Sequence, residues 1–212
     1  MRAWLKETVT GFTSGKFSAD EKKKMTLRRF LFILAMGVVC ATTGSWALGA
    51  DGVFLNFYQE EGTSNLDGSF EVAADCATAW AVLTDYDQMH HFVDSLKRSH
   101  LEEYLGRGHF LVEQEFEGGF LFVTKRVRVR LDIHETRYQT ILFEDLGHQD
   151  FELYKGSWNL QPDSNKGIRI IYSLKAKQNF NEPFTGNYLK GGIQELLDSM
   201  RREILRRQAL KP

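Results

Sequence analysis

Residues 124–134 read Thr124-Lys125-Arg126-Val127-Arg128-Val129-Arg130-Leu131-Asp132-Ile133-His134, and the strict alternation from Arg126 onward decides the fold. Val127, Val129, Leu131 and Ile133 fall on one side of an extended chain. Arg126, Arg128, Arg130, Asp132 and His134 fall on the other, which is the period-2 pattern of a strand with one dry and one wet face. The flanking segments repeat it. Phe110, Val112, Gln114 and Phe116 oppose Leu111, Glu113, Glu115 and Glu117. Ile168, Ile170, Tyr172, Leu174 and Ala176 oppose Arg169, Ser173, Lys175 and Lys177. Strands are expected at 96–105, 109–117, 121–135, 139–147, 151–161 and 167–178. The breakers between them are Gly106-Arg107-Gly108, Gly118-Gly119, Gly147-His148 and the polar run 162–165. Links this short cannot carry parallel crossovers, so the strands form an antiparallel meander. The Arg-rich and Glu-rich wet faces suit cross-strand ion pairs, each of small worth at a surface.

Upstream, 69–73 alternates as another strand. Asp75 stands at a helix N-cap before Ala77, Ala79, Trp80, Ala81, Val82 and Leu83, and 86–93 reads as a second short helix with Met89, Phe92 and Val93 on one side. Residues 51–65, with a short apolar patch at Val53, Phe54, Leu55, Phe57 and Tyr58, read as a linker. Downstream, Phe184, Tyr188, Leu189, Ile193, Leu196, Leu197, Met200 and Ile204 recur at steps of three and four, one apolar stripe on a long helix with Pro183 at its start. Gly191-Gly192 inside that helix costs on the order of 1 kcal/mol per glycine relative to alanine. Such a pair implies close packing, a kink, or room for something else. The fold class expected is α+β: a sheet wet on one face, with the long helix covering the other and a space between them.

The 212 residues are ordinary in hydrophobic content (42%) but carry sixteen Phe, seven Tyr and four Trp, rings able to line a pocket as well as fill a core. Residues 1–50 hold eight Lys/Arg against three Asp/Glu, and the remainder nineteen against twenty-five. An acidic folded part disfavours nucleic acid, or an anionic bilayer, as a main partner. It leaves room for transient membrane contact. Met25-Thr26-Leu27-Arg28-Arg29, an apolar run at 30–41 and a small-residue stretch ending Ser45-Trp46-Ala47-Leu48-Gly49-Ala50 follow the three-part plan of a secretory signal, with cleavage after Ala47 or Gly49. Residues 25–50 are therefore read as the leader of a periplasmic or secreted protein. The alternatives are an inner-membrane anchor through 30–50 and a lipoprotein at Cys40. Residues 1–24 read as a start assigned too early or as a long cytoplasmic extension. Of the two cysteines, Cys40 lies in the leader and Cys76 at a helix start, so no disulfide is expected in the mature chain.

The segment Phe70-Glu71-Val72-Ala73-Ala74-Asp75-Cys76-Ala77-Thr78-Ala79-Trp80-Ala81-Val82-Leu83-Thr84-Asp85-Tyr86, then His91-Phe92-Val93, resembles the opening strand, first helix and Thr-Asp-Tyr turn of the START-like superfamily. That superfamily includes polyketide cyclases, lipid-transfer and coenzyme Q-binding proteins. Gly156-Ser157-Trp158-Asn159-Leu160 resembles its late-strand Gly-x-Trp-x-Leu. The resemblance spans 66–207, and the domain is taken as 66–212. It implies a helix-grip fold that holds an apolar or amphipathic molecule between sheet and C-terminal helix. Fold kinship of this kind leaves the chemistry to the site.

No catalytic set is legible. His90 and His91 are adjacent on a helix, about 100° apart, and cannot chelate one ion as an i, i+4 pair can. His100, His109, His134 and His148 show no ligand spacing, and no metal or cofactor is expected. Glu113, Glu115 and Glu117 lie on the wet face, opposite the arginines. No phosphate loop, nucleophile elbow or Cys/His/Asn arrangement is present. The expected cavity wall is Phe110, Val112, Gln114, Phe116, Val127 and Val129 from the central strands. Tyr154, Trp158, Ile170 and Tyr172 come from the later ones, and Tyr188, Ile193 and Leu197 from the helix. Gln114, Lys125, Tyr154, Trp158 and Tyr172 are its few polar members, able to orient a ligand. Three functions fit: a carrier for a lipid, quinone or polyketide-like molecule, a cyclase or dehydratase in the same cavity, or an interaction module at the envelope.

Overall fold

The computed structural model describes residues 52–120, 123–163, 167–179 and 185–211. The leader, Pro183 and Phe184 lie outside the described residues. Eight strands form one curved antiparallel sheet: β1 (Phe54–Glu60), β2 (Thr63–Val72), β3 (Leu96–Gly106), β4 (His109–Phe120), β5 (Val123–Thr136), β6 (Thr140–Asp145), β7 (Phe151–Pro162) and β8 (Ile168–Gln178). Their order is β1-β2-β8-β7-β6-β5-β4-β3, so β3 to β8 make the expected meander and β2 closes against β8. Helix α1 (Cys76–Leu83) and a 3₁₀ turn (Met89–His91) cross from β2 to β3, and α2 (Thr185–Ala209) follows β8.

Three expectations need correction. Residues 51–65 are no linker: Phe54 through Glu60 pair with Ser69 through Thr63, a hairpin turned on Glu61-Gly62 with φ of 49° and 76°. Two consecutive residues at positive φ are what a tight hairpin demands, and glycine supplies the second without strain. The second short helix shrinks to the 3₁₀ turn. Gly118 and Gly119 do not end a strand. They pair with Lys125 and Thr124 inside the ladder, which closes with Phe120 opposite Val123.

The faces divide as the alternation requires. Val129, Leu131, Ile133, Ile168, Ile170, Tyr172 and Leu174 are buried, while Arg126, Arg128 and Arg130 are exposed. Outside, Arg126 pairs with Glu115 and Glu117, Arg128 with Glu115, and Arg130 with Glu102. The helix stripe buries Ile193, Leu197, Met200 and Ile204. Leu197 lies so close to β2 that a Cβ on Gly68 would come within 2.5 Å of its Cδ1, so the helix rests on bare backbone there. Gly191 and Gly192 are different, for a Cβ on either meets nothing within 4 Å. Gly191 is exposed and Gly192 half-buried, so close packing requires neither.

Polar contacts tie α2 to the segment between β2 and β3. Glu195 accepts hydrogen bonds from the backbone N–H of Asp94 and from the Ser95 hydroxyl, Arg207 pairs with Asp85 at 2.8 Å, and Lys211 pairs with Asp75 at 2.7 Å. Asp75 also caps α1, accepting from the Thr78 N–H at 2.7 Å. The β6–β7 turn has its own anchor. Buried Asp145 accepts from the backbone N–H groups of Arg130, Gly147 and His148, satisfying donors that would otherwise be stranded where the β5–β6 ladder ends.

Candidate functional site

A cavity of about 50 Å³ lies between the concave face and α2. It has room for a few water molecules, by the measure of about 10–15 Å³ for one. Gln114 and Phe116 reach it from β4, Leu131 and Ile133 from β5, Ile141 and Phe143 from β6. Tyr154 and Trp158 come from β7, Tyr172 from β8, and Leu196 and Met200 from α2. Leu83, Tyr86, Met89 and Leu96 close one end. The wall is aromatic because strands β6 to β8 each aim a ring inward: Phe143 and Tyr172 stack at 6.1 Å, and Trp158 and Tyr172 lie 4.5 Å apart between centroids.

Gly156 explains how these rings fit. It stands opposite Phe143 in the ladder. A Cβ there would overlap the carbonyl oxygen of Ser173 and come within 2.6 Å of Phe143 Cζ. The missing side chain is the space into which the Phe143 ring folds.

The polar groups are few and neutral. The hydroxyls of Tyr154 and Tyr172 are hydrogen-bonded to each other, and burial raises both: Tyr154 to about 12, Tyr172 well above the usual phenol value. Gln114 donates to the Ser99 hydroxyl at 3.2 Å and leans on Met89 Sδ at 3.7 Å. Tyr86 donates to Glu135 at 2.6 Å, and burial followed by that bond pushes its phenol far up. Burial also raises the Glu135 carboxyl. Among the described residues none lining the cavity is Asp, Glu, His, Lys, Arg or Cys. Such a wall holds an apolar body and offers hydroxyl, amide and indole groups to one polar end.

Of the residues expected to line the cavity, Gln114, Phe116, Tyr154, Trp158 and Tyr172 meet on it. Val112, Val129, Ile170, Ile193 and Leu197 are buried in the surrounding core, and Phe110 and Val127 pack half-buried against it. Tyr188 is half-buried on the first turns of α2. The Lys125 side chain lies outside the described residues. Leu131 and Ile133 join the wall beyond expectation, although they continue the apolar face of Val127 and Val129. Alternation gives the face of a strand and not the depth at which its residue meets a helix. Leu196 and Met200 join it for a related reason, since they lie on one edge of the stripe and Leu197 on the other.

The histidines also need correction. His90 is half-buried and His91 exposed, as a surface turn requires. His109 and His134, however, are direct cross-strand partners, with Asp132 beside them. Their spacing along the chain hides this.

A profile of the family described as polyketide cyclase/dehydrase and lipid transport matches residues 64–204. No curated protein matches the sequence. Among solved structures, the STAR-related lipid transfer protein from Xanthomonas axonopodis is 14% identical, covering 73% of this chain and 99% of its own, with a TM-score of 0.55. The Zhui aromatase/cyclase from Streptomyces sp. R1128 is 12% identical, covering 69% and 94%, at 0.56. The lipid transfer and protein localization domain of human StarD13 is 12% identical, covering 73% and 85%, at 0.55. At these identities the likeness is one of fold.

Proposed function

The chain belongs to the polyketide cyclase/dehydrase and lipid transport family, and from that premise we propose that it is an exported binding or transfer protein for a hydrophobic small molecule. The ligand lies between the sheet and α2, its class a lipid, quinone or polyketide-like compound. The observation that carries this reading is the wall itself, with its rings on three adjacent strands, the helix edge at Leu196 and Met200, and a small set of neutral hydrogen-bonding groups. A cavity of about 50 Å³ is far below the roughly 300–1,000 Å³ of ligand pockets. Side chains therefore move aside on loading. Export rests on the leader pattern of residues 25–50, and an anchor through 30–50 would hold the same domain at the membrane.

Native mass spectrometry of protein isolated from its own cell envelope, followed by solvent extraction, tests both parts. The expected result is a mature chain starting after Ala47 or Gly49 that carries a non-polar molecule. Protein that stays empty, and neither binds nor displaces an apolar fluorophore, would overturn the binding reading. A mass that retains residues 25–50 would replace secretion by anchoring.

The buried phenol pair favours one second reading. A neutral Tyr172 or Tyr154 hydroxyl can donate to a substrate carbonyl and assist cyclisation or dehydration. Turnover of a poly-ketone substrate that Tyr172→Phe abolishes, with binding retained, would establish it. Equal turnover in the variant would remove it.

A further inference from the structure

On the convex face, away from the cavity, β4 and β5 bring together His109, Asp132 and His134. His109 and His134 are directly opposed in the ladder. Asp132 lies two residues from His134 on the same strand and therefore on the same face. One nitrogen or oxygen from each of the three lies within 4.8 Å of the others. The two imidazole rings stack at 4.1 Å with 20° between their planes. His109 Nε2 meets Asp132 Oδ1, and His134 Nε2 is 3.3 Å from Asp132 Oδ2, so both rings aim the same nitrogen at one carboxylate. Further along the outer face of β5, Arg126, Arg128 and Arg130 are each held by glutamates. That pattern breaks at Asp132, whose carboxylate faces two imidazoles instead.

We infer that His109, Asp132 and His134 form a binding site for a divalent late transition-metal ion, zinc being the best fit. Two imidazole nitrogens and a carboxylate oxygen are the donor set of three-ligand zinc sites, with a water in the fourth position. Donors about 2.1 Å from a tetrahedral ion stand about 3.4 Å apart. The His134–Asp132 separation of 3.3 Å already matches that spacing. Small side-chain rotations open the closer His109–Asp132 contact, and the paired strands hold the three Cβ atoms in place meanwhile. Glu144 on β6, the ladder partner of Asp132, is instead 4.0 Å from the Lys155 ammonium, so the three residues are the ligands and water completes the shell. Because the ligands come from two strands, the ion clips β4 to β5 on the side opposite the cavity. The site is independent of whatever the cavity holds.

Isothermal titration of the full mature chain, freed of any polyhistidine tag and stripped with chelator, tests the site with Zn²⁺ as the probe. One equivalent is expected, with the midpoint of thermal unfolding raised by several degrees at saturation. Co²⁺ in place of zinc should give the absorption bands of a tetrahedral ion. His109→Gln and His134→Gln keep a polar, hydrogen-bonding side chain, and each should weaken binding at least 30-fold while unfolding at the unliganded wild-type temperature in chelator. His100→Gln, elsewhere on the sheet, should leave the titration unchanged. Absence of stoichiometric binding at micromolar zinc overturns the inference, as does binding that survives in either folded His→Gln variant. Should those variants fail to fold, wild-type protein whose Co²⁺ spectrum lacks tetrahedral bands would overturn it equally.

Discussion

Met200→Ala separates a wall of the cavity from mere core. Met200 is 1% exposed and lines the cavity, while Leu197, on the other edge of the same helix stripe, is 0% exposed and rests over Gly68. Truncating either side chain to alanine removes fully buried apolar atoms, at a loss of roughly 2–5 kcal/mol. At about 3 kcal/mol, and 2–4 °C per kcal/mol for a domain of this size, both variants should melt about 6–12 °C below wild type. They part company on ligand. The volume vacated by Met200 adds to the existing cavity of about 50 Å³, whereas that vacated by Leu197 opens against β2. An apolar fluorophore should bind Met200→Ala more tightly than wild type, because fewer side chains must be displaced, and Leu197→Ala no more tightly. At a hundred times its Kd the probe returns about 2.7 kcal/mol, so it should recover most of the lost melting temperature in Met200→Ala. Fluorescence titration and thermal melts with and without probe give both readouts. If the two variants gain affinity alike, or Met200→Ala binds more weakly, the space between sheet and α2 is not the binding compartment.

Gly156→Ala should destabilise by about 1–3 kcal/mol or more by overpacking, because the new methyl strikes the Ser173 carbonyl and the Phe143 ring; Phe143→Ala should not rescue it, since the backbone overlap remains, and urea denaturation of the two single variants and the double variant checks this. The Asp75 carboxyl is lowered to about 2, first by its hydrogen bond to Lys211 and then by the Thr78 N–H. A depressed folded-state value gives stability that is present above the unfolded value of about 4 and lost as pH falls toward 2. The melting temperatures of wild type and Asp75→Ala should therefore differ at pH 6 and converge between pH 4 and pH 2. Tyr154 is raised to about 12, mainly by burial, and Tyr172 higher still. A raised folded-state value gives stability that is intact below the unfolded value of about 10 and lost as pH climbs above it. Stability should fall from pH 10 upward, and the phenolate absorbance of these two rings should appear only as the chain unfolds; their titration in the folded protein near pH 10 would refute the burial argument.

The meander and the last helix are legible because each residue there answers to one local period. Arg126 to His134 alternates without a break, and the helix stripe keeps its three-and-four spacing from Tyr188 to Ile204. β1 escapes such a reading because it is an edge strand whose side chains are mostly exposed or half-buried. An edge strand with little to bury writes little alternation. The signal it does carry is Glu61-Gly62, a two-residue turn between segments able to pair, set inside what otherwise looks like a polar run.

The site is harder to read because register, unlike periodicity, depends on where a hairpin turns. Taking Gly118-Gly119 as the turn sets Glu117 opposite Phe120 and His109 opposite Arg128. The observed closure at Phe120 and Val123 slides β5 along β4 and brings His134 to His109. That slip alone turns two scattered histidines into neighbours with their rings stacked. The hydrophobic pattern cannot detect it. The partner of His109 moves from Arg128 to His134, an even number of residues, so either closure keeps Phe110, Val112, Gln114 and Phe116 on the same face as Val127, Val129, Leu131 and Ile133. What distinguishes the two is charge on the outer face. The observed register sets Glu113 against Arg130, Glu115 against Arg128 and Glu117 against Arg126, each acid facing a base. The alternative sets the same glutamates against Thr124, Phe122 and Phe120, none of them a base. Cross-strand charge matching, weak as stability, is thus strong as information about register, and it is the one reading of the sequence that leads to the metal-binding triad.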